Sequence, residues 1–432
     1  MRVLFISGEL IAGDLAYRLK LEGCDVKLYI EDKSRKDCFE NMVVKTNDWR
    51  KELDWVGKDG LIVFDDVGYG ETQDLLRRDG YNVFGGCELG DKIERDRVFG
   101  QMILKKCGMR AIETVDFNDI KSAIEYLKKH REAWVVKQNA HISALSHVGI
   151  MQDGSDVLSL LETYDKQLPE GVAISLQKKV KGIEIGVGRY FNGNDWVGPI
   201  ELNVEYKHLF DGNVGPMTGE MGTVMWYDAD EKNKIFQNTL AKMKPYLKEI
   251  NFRGDIDINC IINKNQISPL EFTARLGCPS TQLQMEFHVS PWKNLLLAIA
   301  QGKNYNLKYR KGFGVILSVA IPPFPYKSIS NEYYLKNTKI FFNNKFTERD
   351  WKHIHFEEVA KCQGGGNGQY CVAGSNGYII YVSGFGGSID EARKRAYQLV
   401  DKIVLPKMFY RSDIGEQPMH KNYELLKQWG WL

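Results

Sequence analysis

Three short apolar runs near the N-terminus, separated by segments with helical periodicity, limit the fold more than any other feature of the sequence. The runs span 3–8, 25–30 and 60–65, and each has the length and composition of a strand. Strands that alternate with helices form a parallel sheet, because every crossover helix returns the chain to the same end of the sheet. The sequence therefore predicts a Rossmann-like α/β domain over residues 1–95.

The length and charge of the chain limit the number of domains and the class of partner. With 432 residues, the chain is too long for one ordinary core, so we expect several packed domains. Lys and Arg number 58 against 56 Asp and Glu, and this balance gives no reason to expect binding to nucleic acid. No apolar stretch approaches the roughly 20 residues of a membrane span. We expect a monomer or homodimer that binds small molecules.

The N-terminus and the cysteines indicate where such a protein works. The first ten residues lack the apolar region and the cleavage site of a secretory signal, and they read as a strand. The eight cysteines are scattered, with no C-x-x-C pair and no zinc-ligand spacing. We therefore expect a reduced protein in the cytoplasm.

The middle of the chain is predicted to contain further strands, one of which ends in a lysine. Residues 133–137 form an apolar strand that ends at Lys137, just before a polar loop. An ammonium group at this position suits a nucleotide phosphate, although a lysine in solvent is the alternative interpretation. The remaining predictions are strands at 148–151, 172–180 and 184–191, the latter two paired, a loop at 212–222 and a helix at 235–250.

Three carboxylates lie on two strands that are joined by a short turn. Asp255 and Asp257 alternate on one face of the strand 255–262, and Glu271 lies on the strand 269–273. Pairing of these strands brings the carboxylates together, and clustered carboxylates repel one another unless a cation lies between them. Mg²⁺ with nucleotide phosphates is the usual solution, and exposed strand carboxylates are the alternative.

The stretch 212–222 contains four glycines. Without a Cβ atom, a glycine backbone approaches a ligand closely and turns its N–H groups toward an anion. The segment therefore indicates a substrate loop, and a plain surface loop is the alternative.

Taken in order, these segments resemble the ATP-grasp superfamily, and specifically glycinamide ribonucleotide synthetase. The family block G-P-N-T-G-G-M-G appears at 215–222, preceded by a similar D-h-K element at 205–207. The block E-F-N-x-R-F-G-D-P-E-T-Q appears at 271–282, and the ending Y-R-x-D-I-G appears at 410–415. The resemblance covers essentially the whole chain. It implies an ATP-grasp domain at 96–310 with a lid at about 110–185, followed by a small β-rich domain at 311–432.

The resemblance also implies roles for individual residues. Arg275 and Lys137 would act in catalysis, and Asp257 and Glu271 would bind Mg²⁺ or Mn²⁺. The implied ATP-binding residues are Arg97, Lys137, Ser143, Gln177, Lys178, Lys179, Val180, Glu184 and Lys207. The implied substrate-binding residues are Gly8, Gly215, Pro216, Thr218, Gly219, Arg275 and Gly277.

The reaction implied is the ATP-dependent formation of an amide. The γ-phosphate of ATP is transferred to a carboxylate, and an amine attacks the resulting acyl phosphate with release of ADP and phosphate. Such chemistry depends on positioning and on neutralising negative charge, and it requires no protein nucleophile. A small amino acid such as glycine would be the carboxylate, and purine biosynthesis would be the pathway.

The chain departs from the family pattern near the substrates. The opening G-G-R-E-H-A is replaced at 8–14, and the glycine-rich loop with a lysine is replaced at 138–149. The metal-binding asparagine is Thr273, and D-P-E has become Cys278-Pro279-Ser280. Three hypotheses therefore stay open: a ligase for these or other substrates, such as a modified nucleotide, an ATP-grasp phosphotransferase, and a nucleotide-binding protein without turnover.

Overall fold

The N-terminal domain contains a parallel sheet of five strands in the order β3-β2-β1-β4-β5. The computed structural model describes residues 1–137, 145–326, 335–362 and 369–432. The strands are β1 (Arg2–Ser7), β2 (Asp25–Ile30), β3 (Val44–Lys45), β4 (Leu61–Phe64) and β5 (Val83–Phe84). The helices of this part are α1 (Gly13–Leu21), α2 (Leu53–Val56), α3 (Gly70–Arg78) and α4 (Glu88–Arg95). The predicted Rossmann-like α/β arrangement is confirmed.

A separate small sheet follows helix α5 (Arg97–Lys106). Its order is β6-β9-β7-β8, and all of its pairings are antiparallel. The elements are β6 (Thr114–Phe117), α6 (Ile120–Lys129), β7 (Trp134–Lys137), β8 (His147–Val148), α7 (Ser155–Gln167) and β9 (Ile174–Lys178). Trp134, Val136 and Leu176 belong to a core distinct from that of the rest of the chain. We call this unit the lid.

The largest sheet has eight strands in the order β16-β15-β10-β11-β14-β17-β22-β19. Its first five strands are β10 (Ile183–Asn192), β11 (Trp196–Glu205), β14 (Gly222–Asp228), β15 (Arg253–Ile262) and β16 (Ile267–Thr273). The other strands are β17 (Phe313–Ala320), β19 (Ile354–Phe356) and β22 (Tyr378–Gly386). Every pairing in the sheet is antiparallel. The strands 255–262 and 269–273 are neighbours as predicted, and they form one edge of this sheet.

The C-terminal part both continues the large sheet and forms a small one. Strands β17, β22 and β19 lie in the large sheet, whereas β20 (Val359–Lys361), β21 (Tyr370–Val372), β18 (Lys339–Phe342) and β23 (Ile403–Val404) form the small sheet. The remaining helices are α10 (Ser280–Phe287), α11 (Trp292–Ala300), α12 (Ile389–Val400) and α13 (Gln417–Gln428). The division of the chain at residues 95 and 310 stays a prediction.

Two predictions of secondary structure are wrong in detail. The segments 172–180 and 184–191 do not pair, because β9 lies in the lid and β10 lies in the large sheet. The helix predicted at 235–250 is divided into α8 (Lys234–Asn238), a short 3₁₀ turn and α9 (Lys244–Glu249). Thr239, between the first two, has φ −128° and ψ −102°, far from helical values. Pro245 supplies no backbone N–H, so it is tolerated only in the first turn of the new helix.

The segment 212–222 is also more regular than predicted. It contributes β13 (Val214–Met217), which pairs with β12 (His208–Phe210) in a short hairpin. We call residues 208–217 the hairpin. The predicted strand at 148–151 is limited to the two residues of β8.

Two general properties of the chain follow from the described residues. None of their helices is long and apolar enough to cross a membrane. Cys362 and Cys371 are joined by a disulfide, with their Cα atoms 5.8 Å apart. The antiparallel pairing of β20 with β21 brings these two cysteines together, although they belong to no sequence motif. The expectation of a reduced protein in the cytoplasm stays a prediction.

Candidate active site

A cavity of about 1550 Å³ lies where the N-terminal sheet, the lid and the large sheet meet. Its wall contains residues from the loop after β1 and from α5, β7, β9, β11, β15 and β16. The segments predicted separately to bind nucleotide, metal and substrate therefore converge on one space.

The Glu271 carboxylate on β16 lies among three cations. Lys207 Nζ is 3.4 Å away, Arg97 Nη2 is 3.5 Å away, and Lys137 Nζ is 3.7 Å away. These charges, Lys137 first, hold the pKa of Glu271 well below its usual range despite burial. Although Glu271 acts to raise it, the pKa of Lys137 is lowered, because burial and the cations Arg97 and Lys207 outweigh Glu271. Three cations around one carboxylate form a site suited to polyphosphate.

A cluster of carboxylates lies beside these cations. Asp257 on β15 accepts a hydrogen bond from Asn203 Nδ2 at 3.2 Å, and Glu205 accepts one from Asn259 Nδ2 at 3.0 Å. Burial, and then the negative charge of Glu205, raise the pKa of Asp257 well above its usual range. Burial, again with Glu205 as the largest charge, does the same to the pKa of Glu220. Lys207 Nζ lies 3.0 Å from Glu205, whereas Asp257 and Glu220 make no ion pair with the described residues.

The strand register refines the predicted metal site. Glu271 lies opposite Asn259, whereas Asp257 lies opposite Thr273. Asn259 was not predicted as a site residue, although strand alternation places it on the same face as Asp255 and Asp257. Its position directly across from Glu271 makes it an oxygen donor that the carboxylate pattern alone did not reveal.

Residues of this cluster fit a hard divalent cation. Asp257 Oδ1, Asn259 Oδ1 and Glu220 Oε1 are buried, and the structure gives them no hydrogen-bond partner among the described residues. The described residues contain no ready-made group of three or more His, Cys, Asp or Glu ligands. Mg²⁺ commonly takes one or two carboxylates and completes its shell with phosphates and water. Glu271 and Asp257 therefore suit a metal that arrives with a nucleotide.

The segment between the lid and the large sheet lines the cavity from Gln177 to Val180. Lys179 Nζ donates to the carbonyl of Gly149 at 2.6 Å, and Lys178 lies 2.6 Å from Glu132, so both lysines also tie together parts of the lid. Glu184 lies 3.8 Å from Lys207, and burial raises its pKa. These residues adjoin the predicted nucleotide site. Ser143, also predicted to bind ATP, lies outside the described residues.

Arg275 lies at the other end of the predicted motif, between two carboxylates. Its Nε is 3.1 Å from Glu94 and 3.4 Å from Asp66, and its Nη1 donates to the carbonyl of Leu276. Gly277 lines the cavity, and a Cβ at that position would lie 1.9 Å from Ser280 Oγ. Gly8 faces Asp66, whose Oδ2 would be 3.1 Å from an added Cβ. Close approach of neighbouring side chains therefore explains both glycines.

The predicted substrate loop is divided by the structure. Thr218 and Gly219 line the cavity, but Gly215 and Pro216 do not. Gly215 has a φ of +84°, and an added Cβ would lie 2.6 Å from the ring of Phe210. The backbone of the hairpin requires a glycine at this position. The glycine in the sequence motif is therefore explained by backbone conformation and not by contact with the cavity.

Comparison with known proteins agrees with this arrangement. Residues 95–281 match the family model described as "Phosphoribosylglycinamide synthetase, ATP-grasp (A) domain". This segment is therefore similar to an ATP-grasp domain. The phosphoribosylamine-glycine ligase of Helicobacter pylori is 28% identical over 354 residues, which cover 79% of this chain and 78% of that protein. The corresponding enzyme of Clostridium acetobutylicum is 25% identical over 353 residues, 79% of this chain and 80% of that protein.

Solved structures share the fold of the ATP-grasp domain and its flanking regions. The phosphoribosylamine-glycine ligase of Thermotoga maritima superposes with a TM-score of 0.70 at 20% identity, covering 96% of this chain and all of that chain. The chain therefore shares the overall fold of that structure.

Several carboxylates in the cavity were missed by the sequence reasoning, and Glu220 and Glu357 are two examples. Glu220 stands at the fifth position after Gly215, where the family block has a glycine, so the comparison of motifs contained the signal. Glu357 lies on the turn after β19, outside every motif, and only the fold brings it to the cavity. The cavity is therefore more acidic than the motifs indicate.

Proposed function

We propose that the protein is an ATP-dependent ligase that forms an amide from a carboxylate and an amine through an acyl phosphate. The observation that carries this proposal is the cluster of Lys137, Arg97 and Lys207 around Glu271, beside buried carboxylates that lack a cation. One half of this arrangement suits the phosphates of ATP, and the other suits the divalent ion that accompanies them. The similar proteins named phosphoribosylamine-glycine ligase support the same class of reaction.

The first step transfers the γ-phosphoryl group of ATP to a carboxylate oxygen. A new P–O bond forms, the bond between the γ-phosphorus and the bridging oxygen breaks, and ADP leaves. Lys137, Arg97 and Lys207 are placed to neutralise charge on the transferred group. A bound Mg²⁺, held by Glu271 and Asp257, would supply Lewis-acid stabilisation of the phosphates. Arg275 also lines the cavity, and we propose that it contacts the substrates.

The second step is attack of an amine nitrogen on the acyl carbon. The C–N bond forms, the bond from carbon to the phosphate oxygen breaks, inorganic phosphate leaves, and the nitrogen loses a proton to water. A cavity of about 1550 Å³ has room for a nucleotide and two further small substrates. The names of the relatives make glycine and phosphoribosylamine the first pair to test, and that pair would place the enzyme in purine biosynthesis. Its location in the cytoplasm stays a prediction.

An ADP-release assay tests the proposal. Amino acids are crossed with amines in the presence of ATP and Mg²⁺, and wild type is compared with Glu271→Ala. Glu125→Ala, on the exposed face of the lid helix α6, is the matched control. We expect amine-dependent ADP release that falls at least 100-fold in Glu271→Ala and is unchanged in Glu125→Ala. Release that is independent of amine would indicate a phosphotransferase, and undiminished activity of Glu271→Ala would contradict the assigned site.

A further inference from the structure

One part of the cavity is built from acidic residues of the N-terminal sheet and of the C-terminal part. We call the region lined by Gly8, Asp32, Arg35, Asp66 and Glu357 the acceptor pocket. The acidic residues that line it are Glu9, Glu31, Asp32, Asp66, Glu94 and Glu357, and the basic ones are Arg35, Arg95 and Arg275. Carboxyl groups therefore outnumber guanidinium groups in this pocket by six to three.

Arg35 is already committed to protein partners. Its Nη1 donates to Glu357 Oε1 at 2.8 Å and to the carbonyl of Glu9, and its Nε lies 3.1 Å from Glu358 Oε1. The side-chain oxygen of Asn376, in the orientation that satisfies its neighbours, accepts from Nε and Nη2 at 3.1 Å. Arg275 likewise faces the two carboxylates of Glu94 and Asp66. Arg35, which also lies 3.8 Å from Asp32, is thus opposed by three carboxylates and Arg275 by two, and neither carries surplus positive charge for a phosphate.

One carboxylate oxygen of Glu357 is available to a ligand. Its side chain is 2% exposed and lines the cavity, and its Oε2 has no hydrogen-bond partner among the described residues. The neighbouring Glu358 differs, because both of its oxygens accept from the backbone N–H groups of Asn376 and Gly377. A buried carboxylate oxygen without a donor is unfavourable, so a ligand that supplies the donor would bind there.

We propose that the amine substrate carries a second, protonated nitrogen and no phosphate, and that Glu357 Oε2 accepts a hydrogen bond from this ammonium. The proposal rests on the proposed function, since it describes the amine of that ligase. The first nitrogen, unprotonated, attacks the acyl phosphate as described above, and the second keeps its charge throughout. The rings of Tyr378 and Tyr381 also line the cavity and provide apolar surface for an alkyl chain. A short diamine or a polyamine has this chemistry.

The residue that argues for a different amine is Arg95. It is exposed, it lines the cavity, and its Nη1 would lie 3.7 Å from a Cβ added to Gly68. A phosphorylated amine could place its phosphate at this rim, and the experiment therefore includes one.

The test compares three amines in the ADP-release assay with ATP, Mg²⁺ and an amino-acid mixture. The amines are 1,4-diaminobutane, n-butylamine and O-phosphoethanolamine. We expect kcat/KM for the diamine to exceed that for the other two at least tenfold. Glu357→Gln should remove most of this preference by raising the KM for the diamine. Glu358→Gln, the matched control without an open oxygen, should keep the preference.

Each other outcome has a defined meaning. A preference for the phosphorylated amine, or a diamine preference that persists in Glu357→Gln, would overturn the proposal and leave the ligase function standing. If no amine stimulates ADP release, the ligase function fails. Calorimetry with 1,4-diaminobutane then tests separately whether the acceptor pocket binds a diamine. Binding to wild type that is lost in Glu357→Gln supports it, and no binding to wild type overturns it. Should Glu357→Gln not fold, the wild-type preference among the three amines is decisive.

Discussion

The ammonium group of Lys137 lies 3.7 Å from the carboxylate of Glu271. Lys137 ends strand β7 of the lid, and Glu271 belongs to strand β16 of the large sheet, so the pair joins the two parts across the cavity. Phosphate oxygens would compete for the lysine, whereas a metal would compete for the carboxylate. When a nucleotide binds with its metal, the contact between Lys137 and Glu271 would therefore be replaced by a contact of the lysine with phosphate and a contact of the carboxylate with the metal.

Replacing Lys137 tests this exchange. We expect Lys137→Met to raise the KM for ATP at least tenfold, because one of three cations around the phosphates is lost. Initial rates over a range of ATP concentrations give the value, with Lys128→Met, on the exposed face of α6, as the control. An unchanged KM would show that the lysine serves only to hold the lid.

We expect the Asp257 carboxylate to lower the stability of the metal-free protein and to support activity by binding Mg²⁺. Its carboxylate is buried beside Glu205, and its pKa is raised well above the usual range, so ionisation is unfavourable in the absence of a cation. We expect Asp257→Asn to raise the melting temperature of the metal-free protein and to increase the Mg²⁺ concentration needed for half-maximal activity at least tenfold. Asp255→Asn, on the same face of β15 but bonded to Gln284, should stabilise without the second effect. Equal Mg²⁺ requirements in both variants would exclude Asp257 as a ligand.

The stability of the unliganded protein should decrease as the pH rises from 5 to 8, with Asp65 as one cause. Burial, followed by the charge of Asp66, raises the pKa of Asp65 to about 7. The folded state thus keeps a proton that the unfolded state has already lost, and the difference grows from the unfolded pKa up to about 7. We expect Asp65→Asn to gain on the order of 2 kcal/mol relative to wild type over this range. The measurement is urea unfolding at pH 5 and pH 8, and a constant difference would refute the assignment.

Arg411 lies outside the cavity and should stabilise the position of the hairpin. The side chain is 1% exposed, bonds Asp413 through Nε and Nη2, and donates from Nη1 to the carbonyl of His208 and to Asn213 Oδ1, both at 2.9 Å. We expect Arg411→Met to cost about 3 kcal/mol of stability, since it leaves Asp413 without its partner. Activity should fall through the KM for the substrates. Arg411→Lys, which keeps the charge but not the paired hydrogen bonds, should lie between wild type and Arg411→Met in unfolding experiments.

The sequence predicts best those features that are local. The alternation of strands and helices in the first 95 residues was sufficient to predict a parallel sheet, because each crossover is short and has a helical periodicity of apolar residues. The pairing of the strands around Asp257 and Glu271 was likewise local, since a four-residue turn joins them. The lid was harder, since β9 and β10 are adjacent in sequence and each has the pattern of a strand. Only long-range packing assigns them to different sheets.

The acceptor pocket could not be predicted from the sequence for a similar reason. Arg35 and Glu357 are 322 residues apart, and neither belongs to a recognisable block. Their ion pair depends on how β2 of the N-terminal sheet is packed against the C-terminal part. Side-chain contacts of this kind leave no periodic pattern that a single sequence could reveal.

The order of the large sheet has a consequence for how this protein could be shortened. Strand β17 pairs with β14 along five residues, and β22 in turn covers β17. A fragment ending near residue 310 would keep most of the residues around Glu271 but would expose β14 as a long unpaired edge. Such edges recruit strands from other molecules and promote aggregation. The C-terminal third of the chain should therefore keep the region of the proposed nucleotide site soluble, and a shortened version of this protein must retain it.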